Sequence, residues 1–220
     1  MTASPPNVTP TPMPRGLVFA ASGWVAVSWL VVIGVKPPLQ PTSSAYTPAA
    51  EMMLLCMMIG GFIAWPLFRL TVAPRHSIPR RTCLEIIALV GMTQIVLWPL
   101  RLVTSWTVAR VGWVDIEIIC TLLLLGGLVV RVAGSRMLRT ATMTLILVWL
   151  ILPPTLGFLL RTTDGIGLLS PLTRIWHLAR GGAGPIADNV WMGPGISLLI
   201  AIALWAPSMR SGLAEARNSQ

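Results

Sequence analysis

The sequence is poor in the residues that most catalytic and cofactor sites require. It contains one lysine, Lys36, two histidines, His76 and His177, and seven acidic residues. Lys36 stands in IGVKPP with no glycine-rich turn before it, which excludes the phosphate-binding loop of ATPases. No His-Glu-x-x-His motif occurs, which excludes the zinc-protease signature. We therefore expect no catalytic centre, no metal and no cofactor in this chain.

Cysteine is also scarce, and its positions indicate neither a disulfide framework nor a metal site. Cys56, Cys83 and Cys120 lack Cys-x-x-Cys spacing. The two histidines fall on opposite faces of the membrane in the topology predicted below, about 30 Å apart, so they cannot share one haem iron.

Charged residues make up only 10% of the chain, whereas 55% of its residues are hydrophobic and its mean hydropathy is +0.77. A soluble domain of this size could not expose so much apolar surface, so an integral membrane protein in a lipid bilayer is predicted. The net charge of +9 comes from scattered arginines, not from a stripe that could follow a phosphate backbone. We therefore expect no nucleic-acid partner.

Six apolar runs approach the roughly 20 residues that a helix needs to cross a hydrocarbon core. They occupy residues 17–35, 52–71, 85–103, 113–133, 140–160 and 190–206. None shows the ten-residue alternation of a membrane barrel, and backbone groups in lipid must bond internally, so helices are predicted. The predicted fold class is an all-α integral membrane protein. A six-helix transmembrane bundle over 17–206 lies between a disordered tail, 1–16, and a cytoplasmic tail, 207–220.

The distribution of basic residues predicts the orientation of this bundle. Ten arginines flank the spans on the side of the N-terminus, and six basic residues flank them on the other side. Because positive residues are enriched on the cytoplasmic side, both termini are predicted to be cytoplasmic. We expect the chain to lie in a bacterial cytoplasmic membrane.

Two carboxylates near the start of the fourth span are the main candidates for a polar function. Asp115 and Glu117 stand in RVGWVDIEIIC, about one turn below the predicted outer interface. Charged groups at that depth usually face a bundle interior, a wet cavity or a basic partner. About 200° of helix rotation separates them, so they cannot both point the same way. We expect one of them to pair with Arg101 or Arg110, either as an interfacial ion pair or as the lining of a polar path.

Other patterns concern anchoring and packing. Two similar sequence segments combine Trp, Pro and Arg at span ends: WPLFRLT at 65–71 and WPLRLVT at 98–104. They predict side chains anchored at headgroup depth, or alternatively an inverted repeat. The methionine-rich segment EMMLLCMMIG at 51–60 predicts flexible side chains that fill gaps between helices, or alternatively an apolar path for a substrate.

The connector between the fifth and sixth spans contains SPLTRIWHLARGG, which predicts a short interfacial helix over 170–180. Ser170 is expected to cap it and Pro171 to occupy its first position. Its apolar face comprises Leu172, Ile175, Trp176 and Ala179. Its polar face comprises Thr173, Arg174, His177 and Arg180. Such a helix should lie flat on the outer interface with Trp176 at the acyl boundary and its arginines among the headgroups.

The phrase LSPLTRIWHLAR, which follows a fifth span interrupted by Pro153 and Pro154, resembles an element of the membrane subunits of type-2 ABC exporters. In that family an Asn-Pro-Leu-Thr phrase often introduces an outer-face helix between the fifth and sixth spans. The resemblance covers about residues 145–206 and implies a permease that dimerises and is driven by a separate ATP-binding subunit. No catalytic residue is carried over.

Two functions are therefore expected. The first is a non-enzymatic membrane subunit of a larger assembly, permease-like, which moves an apolar or amphiphilic substrate. Its partners would be the lipid bilayer, a second copy or other membrane subunits, and an ATP-binding subunit. The alternative is a structural subunit of a respiratory or photosynthetic complex that contacts lipid or pigment without supplying cofactor ligands.

Overall fold

The computed structural model describes residues 15–34, 43–71, 78–160 and 169–218, and all regular structure within these ranges is helical. The helices are α1 (Arg15–Trp29), α2 (Ser43–Ile59), α3 (Trp65–Thr71), α4 (Ile78–Val103), α5 (Val108–Val132), α6 (Arg136–Leu159), α7 (Pro171–Arg180) and α8 (Met192–Asn218). Two π-helical segments, Leu30–Gly34 and Gly60–Ala64, extend α1 and join α2 to α3. Most of the predicted tail 1–16, together with Lys36 and His76, lies outside the described residues.

Five helices are long and apolar enough to cross a membrane. They are Arg15–Gly34, Ala45–Thr71, Ile78–Val103, Val108–Val132 and Arg136–Leu159. The last predicted span corresponds to a shorter apolar stretch, Met192–Ser208, within α8. The described part of the chain is thus all-helical, with five helices that could span a membrane, and the count of six spans stays a prediction.

The helix bounds differ from the apolar runs mainly where a helix has a polar first turn. α2 begins at Ser43 and α4 at Ile78, ahead of the predicted starts at 52 and 85. Polar residues at a membrane surface still gain from completing the backbone hydrogen bonds of a helix, although they do not extend an apolar run. At the other end of the chain, α8 continues through Pro207 to Asn218, into the predicted tail.

α5 is the central helix of the bundle. It packs on α4, α7 and α8. In the most apolar stretch of α5, 61% of the residues are buried, against 6% in that of α1. Close approach of α8 depends on the absence of a side chain at Gly127, where a Cβ would lie 2.8 Å from the Cβ of Leu204. The indole of Trp205 on α8 donates to the carbonyl of Leu123, 3.0 Å away. Helices around α5 therefore share one continuous apolar core.

Prolines interrupt the helical hydrogen bonds without ending the helices. Pro99 lies inside α4, and Pro153 and Pro154 lie inside α6. Pro66, at the start of α3, has no N–H to offer the carbonyl of Phe62, and its ring crowds that carbonyl. The wider π turn of Gly60–Ala64 just before it relieves this crowding. The span 45–71 is therefore continuous but bent away from regular α-helical geometry.

The connector helix predicted at 170–180 is present as α7, and it is packed among other helices. Ile175 and Ala179 are 0% and 1% exposed, because α7 contacts α2, α5 and α6. Ser170 precedes the helix but does not cap it with its side chain; its hydroxyl donates to the carbonyl of Leu150, 2.8 Å away. The indole of Trp106 donates to the Ala179 carbonyl at 2.8 Å. α7 is thus fastened at both ends to the bundle, and its position at a membrane interface stays a prediction.

Candidate functional site

Glu117 forms an ion pair with the connector helix. Its side chain is buried, with 1% exposure for the residue, on the face of α5 that meets α7. Its Oε1 accepts from Arg174 Nε at 2.8 Å and from Arg174 Nη2 at 2.5 Å. The partner is therefore Arg174, and neither Arg101 nor Arg110. Arg174 turns inward toward α5, which is not the headgroup position expected from the polar face of α7.

Arg110 fastens the residues at the end of α7. It is 3% exposed, and its guanidinium donates to the carbonyls of Leu178, Gly184 and Pro185 at 2.6, 2.8 and 3.3 Å. A cation near the C-terminal carbonyls of a helix is favourable because it opposes the negative end of the helix dipole. Gly181 has room for this guanidinium only because it lacks a Cβ. Arg110 therefore has a structural position and does not meet either carboxylate.

Asp115 points to a different neighbour. It is half-buried and accepts from the side-chain amide of Gln94 on α4. The oxygen of that amide accepts from the indole of Trp98, 2.6 Å away, and Trp98 is 39% exposed. No cation contacts Asp115 among the described residues. Arg101, also on α4, is half-buried and its Nε has no hydrogen-bond partner in the described part of the chain.

The remaining polar residues of α7 are on its outer side. Arg180 lies over the ring of Trp176, 5.1 Å from its centroid, and its Nε is 3.9 Å from Glu51 Oε2. Its side chain is 65% exposed, and His177 is exposed as well. One face of α7 therefore meets the bundle through Arg174, while the other keeps Arg180 and His177 accessible.

A second charged cluster lies at the opposite end of the bundle and centres on Glu85, in the first half of α4. Glu85 is 2% exposed. Its Oε2 lies 2.8 Å from Arg69 Nε and accepts from the indole of Trp65 at 3.1 Å. Its Oε1 accepts from Arg81 Nε at 3.1 Å. A single buried carboxylate thus gathers one arginine from α3 and one from its own helix.

This cluster forms the charged end of a cavity of about 640 Å³, a volume typical of small-molecule sites. The walls come from α1, α2, the π segment, α3, α4 and α5. Apart from Arg69, Arg81 and Glu85, the lining is mainly apolar. It includes Leu17, Trp24, Met57, Met58, Phe62, Leu89, Met92, Ile118 and Leu122. The cavity is therefore amphipathic, with charge at one end and hydrocarbon-like walls along the rest.

The π segment shapes the wall where α1 meets α2. Trp24 donates its indole N–H to the carbonyl of Cys56, 2.8 Å away. A Cβ on Gly60 would lie 2.7 Å from the Trp24 Nε1 atom, so only glycine allows this approach. Gly61 differs, because the nearest atom to a Cβ there is on Leu122 at 3.7 Å. This hydrogen bond thus adds to the packing of α1 on α2 and α4 beside the cavity.

The charged end keeps donors for a further group. The Arg69 side chain is 11% exposed, and its Nε, although close to Glu85, is not aligned for a hydrogen bond. Its other guanidinium nitrogens bond no other described residue. The Arg81 side chain is 52% exposed. With two guanidinium groups and one carboxylate, this end of the cavity has a net positive charge.

Sequence reasoning missed this site because each of its residues has an ordinary interpretation. Trp65 and Arg69 belong to the WPLFRLT word that predicts headgroup anchors, yet Trp65 is 3% exposed and bonded to Glu85. Arg81 is one of the ten arginines whose distribution predicts the orientation of the bundle. The available signal was local: Arg81 and Glu85 are four residues apart on one helix, a spacing that pairs opposite charges.

The described residues contain no group of three or more His, Cys, Asp or Glu side chains that could hold a metal ion. Comparison of the chain with protein-family models, with curated proteins and with solved structures found no match. The amphipathic cavity is the principal candidate site in the described part of the chain.

Proposed function

We propose that this chain is a non-enzymatic, permease-like membrane subunit that binds an amphipathic molecule in the cavity between α1 and α4. The observation that carries the proposal is how charged and apolar side chains are distributed in the lining: the charged ones lie at one end, and apolar ones line the remainder. An amphiphile has the same division between a polar headgroup and a hydrocarbon tail. Burial of the tail would remove apolar surface from water, and the headgroup would stay beside Arg69, Arg81 and Glu85.

The cavity is suited to exchange its occupant with the bilayer. α1 forms one wall, and only 6% of the residues in its most apolar stretch are buried in the bundle. The thioether side chains of Met57, Met58 and Met92 line other walls and can adapt to tails of different shape. Movement of α1 away from Gly60 would open the cavity sideways to lipid.

The proposal includes a partner that supplies energy. The resemblance of LSPLTRIWHLAR to the outer-face element of type-2 ABC permeases supports a transport role driven by a separate ATP-binding subunit. The predicted orientation places the Glu85 end of the cavity on the cytoplasmic side of a bacterial membrane, where such a subunit would bind. An amphiphile would then enter from the cytoplasmic leaflet.

A photoactivatable fatty-acyl probe tests the binding. The full-length chain is reconstituted in zwitterionic nanodiscs, labelled and digested, and the modified peptides are identified by mass spectrometry. We expect labelling to concentrate on α1 and α4 residues that line the cavity and to be lost when Met92 is replaced by tryptophan. Ile95→Trp is the matched control, because Ile95 is on the same helix but 70% exposed. Equal labelling of the two variants would overturn the proposal.

One observation favours the alternative, a structural subunit of a larger membrane complex. Asp115 is a half-buried carboxylate that accepts a hydrogen bond from Gln94, whose amide oxygen accepts in turn from the exposed Trp98. A carboxylate at such a position usually faces a basic partner or a wet surface. If a neighbouring membrane chain supplies that partner, Asp115→Asn should reduce its co-purification in mild detergent, whereas Met92→Trp should not.

A further inference from the structure

We infer that the cavity selects an amphiphile with an anionic oxygen headgroup, a phosphate or a carboxylate, which binds the guanidinium groups of Arg69 and Arg81. This inference rests on the proposed function, because it names the chemical class of ligand for the same cavity. The juxtaposition that carries it is one carboxylate, Glu85, between two arginines at the polar end of an apolar space.

The charge balance favours an anion. Glu85 is 2% exposed, and its carboxylate already accepts hydrogen bonds from Trp65 and Arg81. The Nε atom of Arg69 lies 2.8 Å from its Oε2 atom. A cationic headgroup would have to approach two guanidinium groups in order to reach that single carboxylate. An anionic headgroup would instead neutralise the remaining positive charge.

The donor geometry favours oxygen ligands. A guanidinium group carries five N–H donors in a planar fork that matches the oxygens of a carboxylate or phosphate. Arg69 contacts Glu85 through its buried Nε, 2.8 Å from Oε2, so the terminal nitrogens of its guanidinium are the donors that remain. Arg81 contributes only its Nε to Glu85, and half of its side chain is exposed. Both arginines therefore have donors that a headgroup could use without breaking the existing cluster.

The apolar wall determines how the rest of the ligand lies. On α4 the lining extends from Arg81 through Leu89 to Met92. At the helical rise this distance is about 16 Å, so a hydrocarbon tail can lie along α4 while its headgroup stays at the arginines. A free anion would use only one end of the cavity, and an uncharged lipid would use only the other.

Three probes separate these possibilities. The full-length chain in zwitterionic nanodiscs is titrated with a single-chain glycerol phosphate ester, with the monoacylglycerol of the same tail, and with glycerol phosphate alone. Bound probe is measured by native mass spectrometry. We expect the phosphate ester to bind at least about tenfold more tightly than the monoacylglycerol, since hydrogen bonds to charged groups are strong. Glycerol phosphate should bind more weakly than the tailed ester.

Variants connect the preference to the two arginines. Arg81→Gln should lower affinity for the phosphate ester severalfold and leave that for the monoacylglycerol unchanged. Because about half of the Arg81 side chain is exposed, this variant should fold. The double variant Arg69→Gln with Glu85→Gln removes a cation and an anion together, so it avoids a buried unbalanced charge. Arg81 and the net positive charge of the site remain, so this variant should lose part, but not all, of the preference for the phosphate ester; an unchanged preference would contradict the role of Arg69. Arg80→Gln, at an exposed position on the same helix, is the matched control and should keep the preference.

Each outcome has a distinct meaning. If the two tailed probes bind the unmodified chain equally, amphiphile binding stands and the anionic selectivity is overturned. If neither binds, the proposed function itself fails. If glycerol phosphate alone binds as tightly as the tailed ester, the site takes a free anion and the lipid headgroup assignment is overturned. Loss of the preference in Arg80→Gln would also contradict the assignment to Arg69 and Arg81.

Discussion

Replacing Glu117 by leucine should destabilise the protein through the charge it leaves at Arg174. The substitution removes the carboxylate that neutralises this guanidinium, while the Arg174 side chain remains only 20% exposed. Breaking a buried ion pair by removing one partner typically costs about 3–5 kcal/mol. Because Arg174 retains some exposure, we expect a loss near the lower limit, about 3 kcal/mol. Arg174→Met should cost a similar amount, because Glu117 then stays buried beside an apolar side chain.

The double variant separates the pair from the packing of its side chains. Leucine at 117 and methionine at 174 together place apolar groups where the two charges were, a replacement that is often neutral in buried pairs. The free energy of unfolding of this variant should therefore lie within about 1 kcal/mol of the unmodified protein, well short of the sum of two single losses. Unfolding by sodium dodecyl sulfate in mixed micelles, followed by far-UV circular dichroism, measures all four proteins under one condition.

Arg180→Met is the control on the same helix. Its guanidinium is 3.9 Å from Glu51 and its side chain is 65% exposed, so its loss should cost less than about 0.5 kcal/mol. The reasoning is refuted if the losses of the two single variants add, within about 0.5 kcal/mol, to that of the double variant. Additivity would mean that Glu117 and Arg174 are close without stabilising one another.

Two further predictions concern glycines. Gly60→Ala should displace Trp24 from its carbonyl partner, lower the free energy of unfolding by about 1 kcal/mol and increase quenching of tryptophan fluorescence by lipid-soluble quenchers; Gly61→Ala, which meets only ordinary contacts, should change neither, and equal effects would contradict the assigned contact. Gly127→Leu should weaken the packing of α8 on α5 by about 2 kcal/mol or more in the same detergent unfolding assay. Gly91→Leu, where a Cβ meets nothing within 4 Å, should be tolerated, and a comparable loss there would refute the packing argument.

Helices were predictable from the sequence because a single physical constraint dominates. Backbone groups in lipid must bond internally, so an apolar run of sufficient length has only one available structure. α5 and α6 accordingly fall close to the runs 113–133 and 140–160. The π segment at Gly60–Ala64 was not predictable in this way, because it depends on a proline two residues later and on a contact with α1.

The contacts of the polar residues were much harder to predict from the sequence. Glu117 and Arg174 are 57 positions apart, and hydrophobic periodicity does not report which connector residue turns inward. The amphipathic pattern of α7 assigned Arg174 to the polar face, which is correct for the helix alone, but the buried carboxylate of Glu117 on α5 draws Arg174 inward while His177 and Arg180 stay exposed. Arg81 and Glu85 show the opposite case: the pair is local and visible at a spacing of four, whereas Arg69 joins it only through the fold.

α5 connects the two polar sites physically. Glu117 binds α7, and the next residue, Ile118, lines the cavity, as does Leu122 one turn further along. Any shift of α5 that lengthens the contact from Glu117 to Arg174 must also move the cavity wall, because both belong to one rigid helix. Binding linkage is reciprocal, so a ligand that binds better with α7 docked must itself favour docking. The position of the connector helix α7 and the shape of the amphipathic cavity are therefore coupled through α5, although the two polar clusters share no residue.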